Sequence, residues 1–255
     1  MIWLAPRAAQ VAVVCLLCGA LLTAAAPPKT EIVEYPSGSE TVRGFLALPG
    51  VPGRHAAILV IHGDAGLNEW VQEQARKFAA QGYVALAVDL YRGRVAADDE
   101  EAHELARGLP DDRAQRDVEA AFTYLAARKD ASSSRIGVIG RQSGGWFALQ
   151  LAIHQPKLVA CAVSDTALPT DFGDLARIRA QILGNFGADQ RGISAGQIEA
   201  FRGALRSQGV QADVKVYPGA SGDFENPADK NHYQPEAAAD AWTRDLAFFS
   251  RNLGK

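Results

Sequence analysis

Gly140-Arg141-Gln142-Ser143-Gly144-Gly145 joins an apolar run, Arg135 to Gly140, to a segment, Ser143 to His154, that reads as a helix. Glycines two positions before and two after a central residue are what a very tight strand-to-helix elbow requires, because side chains there would collide. Gly140 and Gly144 meet that spacing about Gln142. Such an elbow lifts its central side chain off the end of a sheet, where a hydrolytic site would carry Ser or Cys. A carboxamide cannot be deprotonated into a useful nucleophile and holds no covalent acyl group. The stretch therefore predicts a fold while withholding the chemistry that usually goes with it.

Outward from the elbow, strand-like and amphipathic segments alternate, the pattern of an α/β domain with a mostly parallel central sheet flanked by helices. Glu31–Tyr35 and Thr41–Leu48 read as a hairpin turned at Pro36-Ser37-Gly38. Further strands are expected over Ala57–His62, Tyr83–Leu90, Arg135–Gly140, Leu158–Ser164, Ala180–Gly184 and Asp213–Tyr217. Helices are expected over Asn68–Gln81, with Asn68 as N-cap, and over Asp98–Arg107, Asp111–Arg128, Ser143–His154, Ser194–Ser207 and Pro235–Asn252.

A chain of 255 residues, 48% hydrophobic and 22% charged, is enough for one sizeable core that needs no staples. A net charge of -3 and the absence of any basic run exclude a nucleic-acid-binding surface. Arg7, the apolar stretch Ala8–Leu22 and the small residues Thr23-Ala24-Ala25-Ala26 read as a secretory signal peptide over 1–26, leaving 27–255 as a single domain in a periplasmic or secreted protein. The apolar stretch falls short of a spanning helix, so no stable membrane insertion is expected after cleavage. Cys15 and Cys18 lie in the leader, and Cys161, in an apolar run, reads as a buried inert thiol that can form no internal disulfide.

The chain resembles the dienelactone hydrolase (carboxymethylenebutenolidase) family, in its exported bacterial branch, through most of its mature length. The segments that carry the resemblance are Val60-Ile61-His62 through Gly66-Leu67-Asn68-Glu69-Trp70, Gly82-Tyr83-Val84 through Leu90-Tyr91-Arg92-Gly93, and Gly137 to Gly145. Gly184-Asn185-Phe186-Gly187-Ala188-Asp189 and Tyr217-Pro218-Gly219-Ala220 to Phe224 complete it. The resemblance implies an α/β-hydrolase fold, no cofactor or metal, and a Cys, His and Asp triad with a nearby Glu acting on an ester, lactone or carboxylate ligand. The Asp is present as Asp189, but the Cys position holds Gln142, the His position Gly222 and the Glu position Gly63.

With those positions replaced, the expectation is a non-catalytic relative that retains a small-molecule cleft. The alternative is an active ester or lactone hydrolase with a rebuilt triad of Ser143, Asp189 and His232, which occur in the chain order usual for this fold. Against it, centring the elbow on Ser143 would put Arg141 where a glycine is needed. Arg141, Asp64 and Asp223 fall at or beside the replaced positions and Arg92 near where the family holds substrate carboxylates, so these four are candidate binding residues.

Overall fold

The computed structural model describes residues 26–188 and 193–254. The proposed leader, apart from Ala26, and Asp189 thus lie outside the described residues. Strands β1 (Lys29–Ser37) and β2 (Glu40–Leu48) form the expected antiparallel hairpin, with Gly38 at φ 60° in its turn. Then follow β3 (His55–Ile61), α1 (Glu69–Ala80), β4 (Val84–Val88), α2 (Asp99–Gly108), α3 (Asp111–Ala127), β5 (Ala131–Arg141) and α4 (Ser143–His154). The chain continues through β6 (Ala160–Ser164), α5 (Phe172–Leu175), β7 (Gln181–Gly187), α6 (Ala195–Ser207), β8 (Ala212–Tyr217) and α7 (Pro235–Leu253).

The eight strands lie in the order β1-β2-β4-β3-β5-β6-β7-β8, parallel from β4 to β8, with β2 antiparallel to β4. Both faces of the central strands are buried, which is why β3 reads as an unbroken apolar run. Leu59 and Ile61 join residues of α3, α4 and α6 in one core layer, while Ile58 and Val60 join residues of α1 and α7 in the other. Cys161 is fully buried in the first layer, and burial pushes its thiol far above the ordinary range, in keeping with an inert role.

Local signals set the helix starts. Asn68 Oδ1 accepts the Val71 N–H at 3.1 Å, Asp98 caps α2, and Ser194 with Gln197 forms a capping box at α6. Some boundaries differ from expectation. β5 begins at Ala131 and β7 runs to Gly187, because the parallel ladder with β8 continues as far as Gly187↔Tyr217. The short helix α5 was hidden in a segment with loop composition, where Asp171 accepts the Asp174 N–H at 2.9 Å. Among the described residues no helix is long and apolar enough to cross a membrane.

Consecutive strands β3 and β4 step one way across the sheet and β5 returns to the other side of β3. That reversal opens a crevice at the carboxyl ends of the strands, the place where open α/β sheets bind ligands.

Candidate functional site

A cleft of about 820 Å³ lies over those strand ends. The loop after β3 supplies Asp64, the elbow after β5 supplies Gln142 and Ser143, and the end of β6 supplies Asp165 and Thr166. The long connection after β8 supplies Gly222, Asp223, Asp229 and His232, and α2 with Trp146 of α4 adds a further wall. Packing makes the elbow obligatory. A Cβ on Gly140 would lie 2.2 Å from the Gly144 carbonyl oxygen, and one on Gly144 would lie 2.2 Å from that of His62. Gln142 sits at φ 51° and ψ -127°, a conformation costly to any residue with a Cβ and characteristic of strained functional turns.

The Gln142 side chain turns onto the loop after β3. Its Oε1 accepts the Asp64 N–H at 3.2 Å, and Asp64 Oδ1 in turn accepts the Ser143 N–H at 3.3 Å. In this fold the N–H after the elbow's central residue and an N–H from the loop after β3 are the two donors that stabilise an oxyanion. Here both are occupied by the chain's own oxygens. Gly63 leaves the space for this arrangement, since a Cβ there would lie 2.3 Å from Gln142 Oε1. The glycine thus accommodates the carboxamide.

The cleft floor is acidic. Asp165, at φ 50°, accepts the Gly187 N–H at 2.9 Å and the Asp223 N–H at 3.2 Å, so it ties the end of β6 to β7 and to the connection after β8. Burial outweighs the pull of the Gly187 N–H and pushes its carboxyl up to about 7. Burial likewise pushes Asp223 up to about 6. Behind the floor, His62 accepts the Leu90 N–H on Nε2 at 3.1 Å and donates Nδ1–H to the Gly63 carbonyl at 2.7 Å. Burial lowers its pKa, so a neutral ring braces the ends of β3 and β4.

Ser143 and His232 both line the cleft, but among the described residues no hydrogen bond joins them. His232 Nδ1 lies 2.6 Å from Asp229 Oδ2, an orienting carboxylate three residues away that sequence reasoning passed over. Gly222 faces open space, with nothing within 4 Å of an added Cβ.

The sequence matches the dienelactone hydrolase family over residues 42–253. The chain belongs to the dienelactone hydrolase family. It is 29% identical over 227 residues to a Methylorubrum extorquens protein provisionally named a carboxymethylenebutenolidase, covering 83% of this chain and 77% of that one. It is similar to the crystal structure of a provisionally named dienelactone hydrolase from Klebsiella pneumoniae, with TM-score 0.79, 26% identity and coverage of 88% and 99%. The dienelactone hydrolase-like promiscuous phosphotriesterase P91, from metagenomic libraries, superposes with TM-score 0.82 at 26% identity, covering 90% of this chain and all of that one.

Against the expectations raised by dienelactone hydrolase resemblance, two candidate binding residues are corrected. Arg92 does not line the cleft: its Nη1 pairs with the fully buried Asp117 at 2.8 Å and its Nη2 with Glu40 at 2.7 Å. A buried carboxylate on α3 needs a cation, and Arg92 supplies it. Arg141 is 6% exposed and points beneath the elbow, where Nη2 meets Glu225 at 2.7 Å and Asp245 of α7 at 3.4 Å, with the guanidinium 5.0 Å from the Trp70 ring centre. The cause is the elbow itself: Arg141 is the last residue of β5, whereas Gln142, at φ 51°, turns the chain into α4, so the two side chains leave in different directions. Asp64 and Asp223 do line the cleft. Sequence reasoning missed Asp165, Thr166, Trp146 and the α2 residue His103. Only Asp165 carried a usable signal, as a polar residue directly after a buried strand.

Proposed function

We propose that this dienelactone hydrolase family member does not hydrolyse esters and uses the inherited cleft to bind a polar small molecule. The observation that carries this reading is the occupation of both elbow donors, Asp64 N–H by Gln142 Oε1 and Ser143 N–H by Asp64 Oδ1. A tetrahedral oxyanion would have to displace both, and Gln142 offers no attacking atom. Purified protein incubated with activated aryl esters and an enol lactone is expected to show no turnover above a heat-treated control. Turnover overturns the reading.

Combining Gln142→Cys, Gly222→His and Gly63→Glu is expected to return measurable esterase activity. The space at Gly222 is open, and removing the carboxamide frees the space at Gly63. A folded but inert triple variant counts against the assignment of these positions.

One observation favours a second reading, the Asp229–His232 pair at the cleft, which resembles the base half of a hydrolytic triad. In that reading Ser143 attacks, and any turnover is abolished by Ser143→Ala and by His232→Ala. Export of the protein through the 1–26 leader is likewise part of the proposal, supported by the sequence of that stretch. It is tested by whether the mature protein is recovered from the periplasm or medium.

A further inference from the structure

We infer that the free edge of β8 docks an extended peptide with acidic residues at its C-terminal end, added to the sheet as a further, antiparallel strand. β8 is the last strand of the sheet and pairs on its inner side with β7. The Ile182 N–H donates to the Gln211 carbonyl at 3.0 Å and the Ala188 N–H to that of Tyr217 at 2.9 Å, so the odd-numbered residues of β8 turn their peptide groups to β7. By alternation, the N–H and C=O groups of Ala212, Val214 and Val216 point to the open edge.

Sheet edges are ordinarily blunted by proline, bulges or exposed charge. β1, at the opposite edge, carries Pro36 and the exposed Lys29, Glu31 and Glu34. β8 contains no proline and keeps an unbroken register with β7. Its two charges are matched from α7, Lys215 by Asp240 at 2.6 Å and Asp213 by Arg244 at 3.1 Å. Val216 stays 41% exposed. The edge thus keeps the unpaired peptide groups that strand addition uses.

Charge at one end of the edge selects the partner. The row of α7 that supplies Asp240 and Arg244 continues to Arg251, which lines a cavity of about 540 Å³ with the neutral Gln211 at the start of β8. Arg202 and Arg206 of α6, from the opposite layer, line the same cavity. Glu199 engages Arg202 at 2.9 Å, but among the described residues the exposed Arg206 and Arg251 have no carboxylate partner. An antiparallel strand on β8 brings its C-terminal end to this point, so carboxylates there meet arginines from both layers. A second copy of this chain fits less well. Two-fold antiparallel pairing would bring here the far end of its β8, where Asp240 is already shared by Lys215 and Tyr217.

A short peptide of alternating threonine and valine, ending in two glutamates and a free carboxylate and labelled with fluorescein at its N-terminus, tests this by anisotropy with the intact protein. It is expected to bind, with lysines in place of the glutamates weakening binding at least about tenfold, and Arg206→Glu and Arg251→Glu each weakening it about tenfold. Both arginines are exposed, so these variants keep the fold. Two analogues N-methylated on alternate nitrogens separate strand addition from simple charge attraction: one should bind as the parent does and the other at least about tenfold more weakly. Val216→Pro, which removes only an outward N–H, should weaken the parent peptide by a similar factor.

No binding up to about 1 mM, equal affinity for the lysine peptide, equal affinity of the two methylated analogues, or unchanged affinity in both arginine variants each overturns the inference. Free glutamate competing as well as unlabelled peptide overturns it too, since the site would then be one for anions alone. A dimer in sedimentation velocity that Val216→Pro converts to monomer assigns the edge to a second copy and likewise overturns it.

Discussion

Gly63 and Gln142 are sterically interlocked: a Cβ on Gly63 would lie 2.3 Å from Gln142 Oε1 and 3.3 Å from its Cδ. Because the clashing atom is the far end of a flexible side chain, Gly63→Ala is expected to displace the carboxamide from the Asp64 N–H and to cost about 0.5–1.5 kcal/mol, the net worth of that hydrogen bond. In the Gln142→Ala background, where that bond is already gone, the same change should cost less. A double-mutant cycle by urea denaturation measures the coupling, and additive costs would show that the two positions do not share this space.

The elbow glycines differ sharply from Gly222 in what surrounds them. Gly144→Ala would drive a Cβ to 2.2 Å from the His62 carbonyl oxygen and 2.7 Å from that of Ile61, both backbone atoms unable to yield. Loss of ~3 kcal/mol or more is expected there. Gly222→Ala meets nothing within 4 Å and should stay within ~0.5 kcal/mol of the parent. Comparison of denaturation midpoints decides both.

Arg141 holds Glu225 and Asp245 together under the elbow. Arg141→Met leaves two buried carboxylates without their cation, and a cost of about 3–5 kcal/mol is expected. Burial and the neighbouring Glu225 already hold the Asp245 carboxyl well above the ordinary range. The penalty should therefore shrink as the pH is lowered and Asp245 takes up a proton. A penalty independent of pH would point to packing alone.

Asp165 sets a stability slope with pH. Its carboxyl titrates at about 7 in the fold against an ordinary value of 3.8, so the folded state holds the extra proton between those values. The contribution is fully present below the unfolded value and is lost as pH rises through about 7, amounting to ~4 kcal/mol at most. Asp165→Asn should remove this slope. Relative to wild type, the variant is expected to gain stability between about pH 4 and pH 8 in urea denaturation. His62, whose pKa burial lowers, works in the opposite sense, losing its contribution as pH falls, but it is common to both proteins and cancels in the difference.

Much of the fold was legible because its signals are local. The Asn68 cap, the Ser194 box, the apolar runs of β3 and β4 and the glycines flanking Gln142 act through neighbours a few residues away. The site was legible only in part. Asp64, Asp223, Ser143 and His232 were named from the sequence and line one cleft. Arg92 and Arg141 were named on the same grounds and turned elsewhere, because their partners Asp117, Glu225 and Asp245 lie on distant elements.

By itself the sequence determined the α/β architecture, the family and the identity of the residue at the head of the elbow. Period, capping and glycine spacing are short-range constraints that a linear reading captures. Tertiary structure alone decided that Gln142 and Asp64 fill the elbow's two donors, that Gly63 makes room for the carboxamide, and that the Arg92 and Arg141 guanidinium groups turn away from the cleft. Those outcomes depend on which side chains meet across long stretches of chain, 52 residues for Arg92 and Glu40 and 78 for Asp64 and Gln142. Such meetings follow from strand order and side-chain direction, which the order of residues does not itself display.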